Sequence, residues 1–113
     1  MTKVEAYIRT HVLKDVQEAL EDMHISGLTV SDVRGMGHSK GITHTFRGNT
    51  YTTNLNPRVK IEAIVLDSDV EEVVALIQKA AQTGEIGDGK IALYPVGDII
   101  RIRTGERGET ALH

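Results

Sequence analysis

The sequence of 113 residues contains no cysteine, no long apolar run and no excess of positive charge. Without cysteine the chain can form neither a disulfide framework nor a catalytic thiolate, which fits a reducing compartment. The first residues carry charges where a signal peptide needs an apolar segment, and no later stretch is long enough to span a bilayer. Thirteen basic residues are interspersed among sixteen acidic ones, so the basic patch of a nucleic-acid-binding protein is lacking. We therefore expect one cytoplasmic domain over residues 1–113 that neither inserts into a membrane nor binds nucleic acid.

A glycine-rich segment, Thr83–Lys90, is the first candidate for a binding site because it has three glycines and ends in a lysine. Glycine lets the backbone approach an anion closely and point N–H groups at it, and Lys90 adds a positive charge. The alternative is an ordinary turn between a helix and a strand. Further on, Arg101 and Arg103 lie in an alternating segment, Asp98–Thr104, which we expect to be extended, with both guanidinium groups on one face. Because two neighbouring arginines favour an anion between them, the loop and the pair together predict a nucleotide-phosphate site.

Hydrophobic periodicity predicts four strands and two helices along the chain. Alternating residues favour strands over Lys3–Thr10, Leu28–Val33, Arg58–Asp67 and Ile91–Val96. Helical spacing favours helices over 13–23 and 70–81, the second opened by a capping box that begins at Ser68.

The resulting order, β-α-β-β-α-β, is that of an α+β ferredoxin-like fold with one antiparallel sheet and both helices on the same face. The other face of such a sheet is open. Tyr7, Ile64 and Leu66 alternate with the main apolar positions, so we expect self-association to cover that face.

The link between the second and third predicted strands, Gly37–Pro57, is too long for an ordinary hairpin. It is polar and carries Phe46 and Tyr51, which are candidates for partner contact or modification. The alternatives are an insertion without a role and a pair of irregular strands that pack on themselves.

The sequence resembles the PII-type nitrogen regulatory proteins over essentially its whole length. The segments that carry the resemblance are Gly35–His38, Arg47–Tyr51, Thr83–Lys90 and Arg101–Glu106. It implies a homotrimer of ferredoxin-like subunits that binds ATP or ADP, with Mg²⁺, in the clefts between neighbours. It assigns residues 37–57 to a T-loop that contacts a target protein, such as an ammonium transporter or another membrane transporter. Residues 82–90 become the B-loop and residues 101–113 the C-loop.

The resemblance also implies individual roles. Four residues of the B-loop would hold the phosphates: Gly87, Asp88, Gly89 and Lys90. Two residues of the C-loop would reach them across the cleft: Arg101 and Arg103. Three strand residues would line the adenine side: Thr29, Glu62 and Ile64. Four residues would lie beneath the ribose and phosphates: Gly35, Met36, Gly37 and His38. Two T-loop residues would contact the target, Arg47 and Tyr51, and Tyr51 matches a tyrosine that some relatives uridylylate.

Four positions depart from the family pattern. Members that sense 2-oxoglutarate carry glutamine, a ligand of the Mg²⁺ that holds the acid, at position 39 and usually lysine at position 58. This chain has Ser39, whose hydroxyl is shorter than an amide, and Arg58, a planar fork in place of a compact ammonium. His38 stands where arginine is common, and Asn49 replaces a serine that some relatives phosphorylate. We therefore expect nucleotide binding and do not expect the usual response to 2-oxoglutarate.

Several functions remain open on these observations. The leading one is a regulator of nitrogen metabolism or transport whose T-loop responds to the bound nucleotide. A divergent regulator of carbon or bicarbonate metabolism would sense another small ligand instead. A small ATPase or phosphotransferase would need a positioned base and a firm metal ligand, and no catalytic residue stands out. A metal-tolerance trimer of similar fold would bind no nucleotide, which the B-loop and arginine pair disfavour. The five histidines lack the spacing of metal ligands, so we expect no metal site built from them.

Overall fold

The predicted strands and helices follow one another in the predicted order in the structure, which is a computed structural model. It describes residues 1–23, 25, 27–36, 42–46, 49–53 and 55–113. For residues 42–46 and 49–53 it describes the backbone alone. The elements are β1 (Thr2–Ile8), α1 (Leu13–Leu20), β2 (Thr29–Gly35), β3 (Ile42–Phe46), β4 (Asn49–Thr53), β5 (Asn56–Val65), α2 (Val70–Ala81) and β6 (Lys90–Pro95). Short 3-10 turns flank α1, precede α2 and close the chain at Gly108–Leu112. Each predicted strand and helix is present, with ends that differ by a few residues.

Four strands form one antiparallel sheet in the order β2-β5-β1-β6. β1 lies in the middle, where Ala6 is opposite Ile61 on β5 and Ile91 on β6. β3 and β4 form a separate two-stranded antiparallel hairpin within the link that joins β2 to β5. The predicted ferredoxin-like arrangement is therefore confirmed. Within residues 37–57 the hairpin agrees with the alternative of a pair of strands that pack on themselves, although the two strands were expected to be irregular and form a regular antiparallel ladder.

The hydrophobic core lies between one face of this sheet and the two helices. Alternate residues of β1 and β5 point into it and meet the apolar stripes of α1 and α2, as periodicities of two and 3.6 residues require. The largest of the fully buried side chains there are Val4, Ile8, Val16, Ile61 and Val73. Each such side chain stabilises the fold by about 1.5–3 kcal/mol relative to an exposed position.

The opposite face of the sheet carries ion pairs in addition to apolar side chains. Lys3 Nζ lies 3.1 Å from Glu5 Oε2 and 4.6 Å from the centre of the Tyr94 ring, and the Tyr7 hydroxyl donates to Glu5 Oε1. Glu5 is 5% exposed in the single chain, although it lies on the face away from the helices. Its hydrogen bond from Tyr7, together with Lys3, holds the pKa of this carboxyl below its usual range. The face is thus more polar than its apolar residues alone suggested.

Two local predictions were wrong. The capping box does not form, because Asp69 stands at the N-cap of α2 without a side-chain cap hydrogen bond and a 3-10 turn precedes it. The tail is not extended over Asp98–Thr104, because residues 102–104 form a turn. The amide of Gly105 donates to the carbonyl of Arg101 at 2.7 Å, and the amide of Arg101 donates to the carbonyl of Glu106 at 2.9 Å. In the described part of the chain, no helix is long and apolar enough to cross a membrane.

Candidate functional site

The glycine-rich segment leaves α2 and leads into β6 with a backbone that side chains would disturb. Gly84, Gly87 and Gly89 have φ values of 89°, 103° and 106°, which L-residues rarely adopt. A Cβ at Gly89 would lie 1.7 Å from the carbonyl oxygen of Tyr7, so only glycine fits against β1 there. The register, with Lys90 opposite Tyr7, brings the end of this loop to the end of the central strand.

The carboxylate of Asp88 holds the loop together from inside. It accepts hydrogen bonds from the backbone amides of Thr83 and Gly84, each at 2.9 Å, and from the hydroxyl of Thr83. Arg9 Nε also donates to it, at 3.1 Å. The hydroxyl of Thr83 is the main cause, with the two amides and Arg9, of a pKa well below the usual range for this carboxyl. The side chain of Asp88 is therefore engaged within the loop.

A cavity of about 400 Å³ opens beside this loop, and we call it the cationic cavity. Six of the predicted residues line it: Gly35, Met36, Arg58, Gly87, Gly89 and Lys90. Arg34 and Tyr7 line it as well. Among its described lining residues, three carry a positive charge and none is acidic. Such a cavity suits a multiply charged anion.

A second cavity, of about 230 Å³, lies elsewhere on the sheet and contains the residues predicted for the adenine side: Thr29, Glu62 and Ile64. Thr29 is opposite Glu62 in the register of β2 and β5, whereas Gly35, in the cationic cavity, is opposite Asn56. The two pairs are six residues apart along β2, which corresponds to about 20 Å. Within one chain the predicted adenine-side and phosphate-side residues do not meet.

The arginines of the tail lie apart from the glycine-rich loop. Arg101 Nη1 donates to Glu106 Oε1 at 2.8 Å, and its Nη2 donates to the carbonyl of Thr110 at 2.9 Å. Arg103 is exposed in the turn and makes no hydrogen bond or ion pair with any residue that the structure describes. The structure therefore does not bring these two side chains to the loop of their own chain.

Asp98 joins the start of this tail to residues 107 and 108 by hydrogen bonds. Its carboxylate accepts from Arg107 Nη1 at 2.9 Å and from the amides of Ile99 and Gly108 at 2.8 and 3.1 Å. These bonds, that of Arg107 first, hold its pKa below the usual range. The tail is thus held in a defined loop.

Some predicted residues lie outside the part that the structure describes. Gly37, His38, Ser39 and Arg47 are among them, and of Tyr51 only the backbone, in β4, is described. Among the described residues, no group of three or more His, Cys, Asp or Glu side chains is placed to hold a metal ion.

Sequence reasoning missed three residues around the loop: Tyr7, Arg9 and Arg34. The period of β1 assigns Tyr7 and Arg9 to the face away from the core, but it does not show that the glycine-rich loop ends beside them. The sequence around Arg34 gives no sign of a role in the site, because Arg34 is an exposed residue near the end of β2.

Known proteins resemble this chain over nearly its full length. Residues 1–106 match the model of the family described as nitrogen regulatory protein P-II. The nitrogen regulatory protein P-II of Pasteurella multocida is 48% identical over 112 residues, which is 99% of this chain and 100% of that protein. The protein of the same name from Rhodospirillum rubrum is 47% identical with the same coverage. A crystal structure of Arabidopsis thaliana PII bound to citrate is similar with a TM-score of 0.79 at 45% identity, covering 97% of this chain and 90% of the other.

Proposed function

Because the chain belongs to the nitrogen regulatory protein P-II family, we propose that it is a trimeric regulator that binds ATP or ADP and controls a target protein through its T-loop, residues 37–57. The observation that carries this proposal is the cationic cavity beside the glycine-rich loop. Because the relatives of this chain are named as regulatory proteins, we propose that the protein regulates a target and does not catalyse a reaction.

The cationic cavity supports phosphate binding on two physical grounds. Lys90, Arg58 and Arg34 supply positive charge around one space, and no described lining residue is an anion that would repel a phosphate. Gly87 and Gly89 line the same space, where a backbone without Cβ atoms lets a phosphate come close to N–H groups. Triphosphate and diphosphate groups have the charge and the size for such a site.

The separation of the two cavities supports assembly from several copies. The adenine side and the phosphate side are about 20 Å apart along β2, so one chain does not offer both to one nucleotide. A neighbouring copy could place its second cavity, and with it Arg101 and Arg103, opposite the loop. Ile102, fully exposed at the turn of the tail, would then be covered.

The position of the cationic cavity also supports a nucleotide-dependent signal. Gly35 and Met36 line it and directly precede the T-loop in sequence. A γ-phosphate would add a contact at this point that ADP lacks. Two nucleotides shift a conformational equilibrium only when they contact its two states differently, and this difference would meet that condition.

The second effector is proposed to differ from the usual one. Ser39 and Arg58 replace the residues that relatives use for Mg²⁺ and 2-oxoglutarate, so we propose no ordinary 2-oxoglutarate response. The similar Arabidopsis protein is described as bound to citrate, a tricarboxylate, and three cations around one cavity also suit carboxylates.

Calorimetric titration tests the proposal. ATP and ADP, each with Mg²⁺, are titrated into the wild-type protein with and without 2-oxoglutarate, and light scattering measures the mass. We expect both nucleotides to bind, 2-oxoglutarate to add no heat, and a mass close to three times 12.4 kDa. Lys90→Ala should weaken ATP binding by about 10- to 100-fold, the value of a charge-assisted hydrogen bond.

The matched control is Lys14→Ala, which removes the same charge from an exposed position on α1. It should bind ATP as the wild type does. Absence of binding by both nucleotides contradicts the proposed function, and equal affinity of Lys90→Ala and Lys14→Ala contradicts the proposed site. Binding of 2-oxoglutarate together with Mg-ATP would contradict only the proposed change of second effector.

A further inference from the structure

Arg9, which follows the last residue of β1, connects that strand to the glycine-rich loop nearly eighty residues further along the chain. We propose that Arg9 is a positioning residue that fixes the phosphate-holding loop in its binding geometry before a nucleotide arrives. This inference rests on the proposed function, since it concerns the same site.

The guanidinium of Arg9 makes two contacts with the loop at once. Its Nε donates to Asp88 Oδ1 at 3.1 Å, and its Nη2 donates to the carbonyl of Ile86 at 2.9 Å. The side chains of Arg9 and Asp88 are only 22% and 23% exposed, so the pair is partly shielded from water. A planar guanidinium can satisfy two acceptors in a fixed arrangement, whereas a single ammonium group holds them less rigidly.

These two contacts reach the start and the middle of the loop. Through Asp88, Arg9 is joined to the amides of Thr83 and Gly84 at the start of the loop. Through the carbonyl of Ile86, it holds the segment that leads to Gly87. A free loop with three glycines at positive φ would have many conformations. If it became ordered only when a ligand bound, the lost conformational entropy would lower the binding affinity. A loop already ordered by Arg9 avoids that loss of affinity.

Arg9 acts from behind the loop and not as part of the cavity wall. Gly87, Gly89 and Lys90 line the cationic cavity, and Arg9 does not. Its positive charge faces the carboxylate of Asp88, so its attraction for a distant phosphate is largely offset. An effect of Arg9 on nucleotide affinity must therefore arise mainly from the position of the loop.

The test compares the full-length wild type with Arg9→Ala, Arg9→Lys and the control Lys14→Ala. Two quantities are measured: the affinity for Mg-ATP by calorimetry, and hydrogen exchange at the amides of the unliganded protein. We expect Arg9→Ala to bind Mg-ATP about tenfold more weakly, because the loop must be ordered on binding. Its Thr83 and Gly84 amides should exchange faster, while amides in β1 and β5 keep their protection. Arg9→Lys, which can keep one contact, should give intermediate values for both quantities, and Lys14→Ala should match the wild type.

Unchanged Mg-ATP affinity in Arg9→Ala overturns the inference, whether or not the loop amides exchange faster. If Arg9→Ala loses protection throughout β1 and β5, its fold is damaged, and Arg9→Lys and Arg9→Gln then decide by the same two quantities. Failure of the wild type to bind either ATP or ADP would overturn the proposed function. Unchanged exchange at Thr83 and Gly84 in the Arg9 variants would overturn the positioning role, so the two failures are distinct.

Discussion

Replacement of Gly89 by alanine tests the close contact between the glycine-rich loop and the central strand. The new Cβ would lie 1.7 Å from the carbonyl oxygen of Tyr7, and ordinary contact begins at about 3.4 Å. That distance must therefore double, and the atom in the way belongs to the backbone, which cannot rotate aside as a side chain does. Because Tyr7 is paired with Lys90, the shift would also disturb the junction of β1 and β6.

The magnitude has two parts. The positive φ of 106° costs an L-residue about 1–2 kcal/mol, and forcing extra volume into a packed position costs about 1–3 kcal/mol. We expect Gly89→Ala to lower the free energy of unfolding by about 2–5 kcal/mol, a large part of the about 5–15 kcal/mol typical of a domain.

Gly84→Ala is the matched control, because φ there is 89° and nothing lies within 4 Å of the added Cβ. It should show the backbone strain alone, about 1–2 kcal/mol. Urea unfolding followed by circular dichroism measures both variants at one protein concentration. If Gly89→Ala is no less stable than Gly84→Ala, the contact with Tyr7 does not constrain the loop and the reasoning is wrong.

Three further predictions follow from other contacts. The hydrogen bond to Glu5, with burial, raises the pKa of Tyr7 from 10.0 to about 12. The stability that this bond contributes should be complete below pH 10 and lost as pH rises through about 12. The difference between the absorbance of the wild type and that of Tyr7→Phe measures the ionisation of Tyr7, and a phenolate midpoint near pH 10 would contradict the raised pKa. Asp98→Ala should release the tail and speed trypsin cleavage after Arg101 and Arg103, whereas Asp15→Ala, at an exposed position of α1, should not. Val73→Ala, at a completely buried position, should lower the free energy of unfolding by about 2 kcal/mol, and a loss below 0.5 kcal/mol in urea titration would be inconsistent with its burial.

The fold could be predicted from sequence because its signals are local and repeated. Alternation along β1 and β5 separates the core face from the other face, and the 3.6-residue spacing from Val70 to Ala81 marks the buried stripe of α2. Both patterns depend only on which side of an element is covered. The glycine-rich loop was recognised for a similar reason, since glycines at positive φ are a local requirement.

The tail could not be predicted from the same rule. Ile100, Arg101, Ile102 and Arg103 alternate like a strand, yet the chain turns there and leaves Ile102 fully exposed. The hydrogen bond from the Gly105 amide to the carbonyl of Arg101 and the contacts of Asp98 decide its shape. Alternation reports two faces only where a neighbouring strand is present to pair with, and no described strand pairs with this segment.

Long-range pairing explains why Arg9 was missed. Its partners, Asp88 and the carbonyl of Ile86, are 79 and 77 residues away, and no spacing rule links positions so distant. Both the loop and the arginine can be seen in the sequence, but the contact between them can be seen only in the structure. The same limitation applies to Arg34, whose place in the cationic cavity depends on how β2 ends beside the loop.

The division of the candidate site between two cavities has a thermodynamic consequence for the proposed trimer. If a nucleotide needs the cationic cavity of one copy and the second cavity of another, it binds the assembled form and not the separate chains. A ligand that binds only one form stabilises that form by about 2.7 kcal/mol for each site when its concentration is 100 times Kd. Nucleotide binding and assembly would therefore support each other. In that arrangement the Arg101–Glu106 ion pair has the largest influence on affinity. The phosphate of a nucleotide held in the cationic cavity of the neighbouring copy would compete with Glu106 for the guanidinium of Arg101. The gain on binding would then be the difference between two charge-assisted contacts, which favours a reversible response over a permanently occupied site.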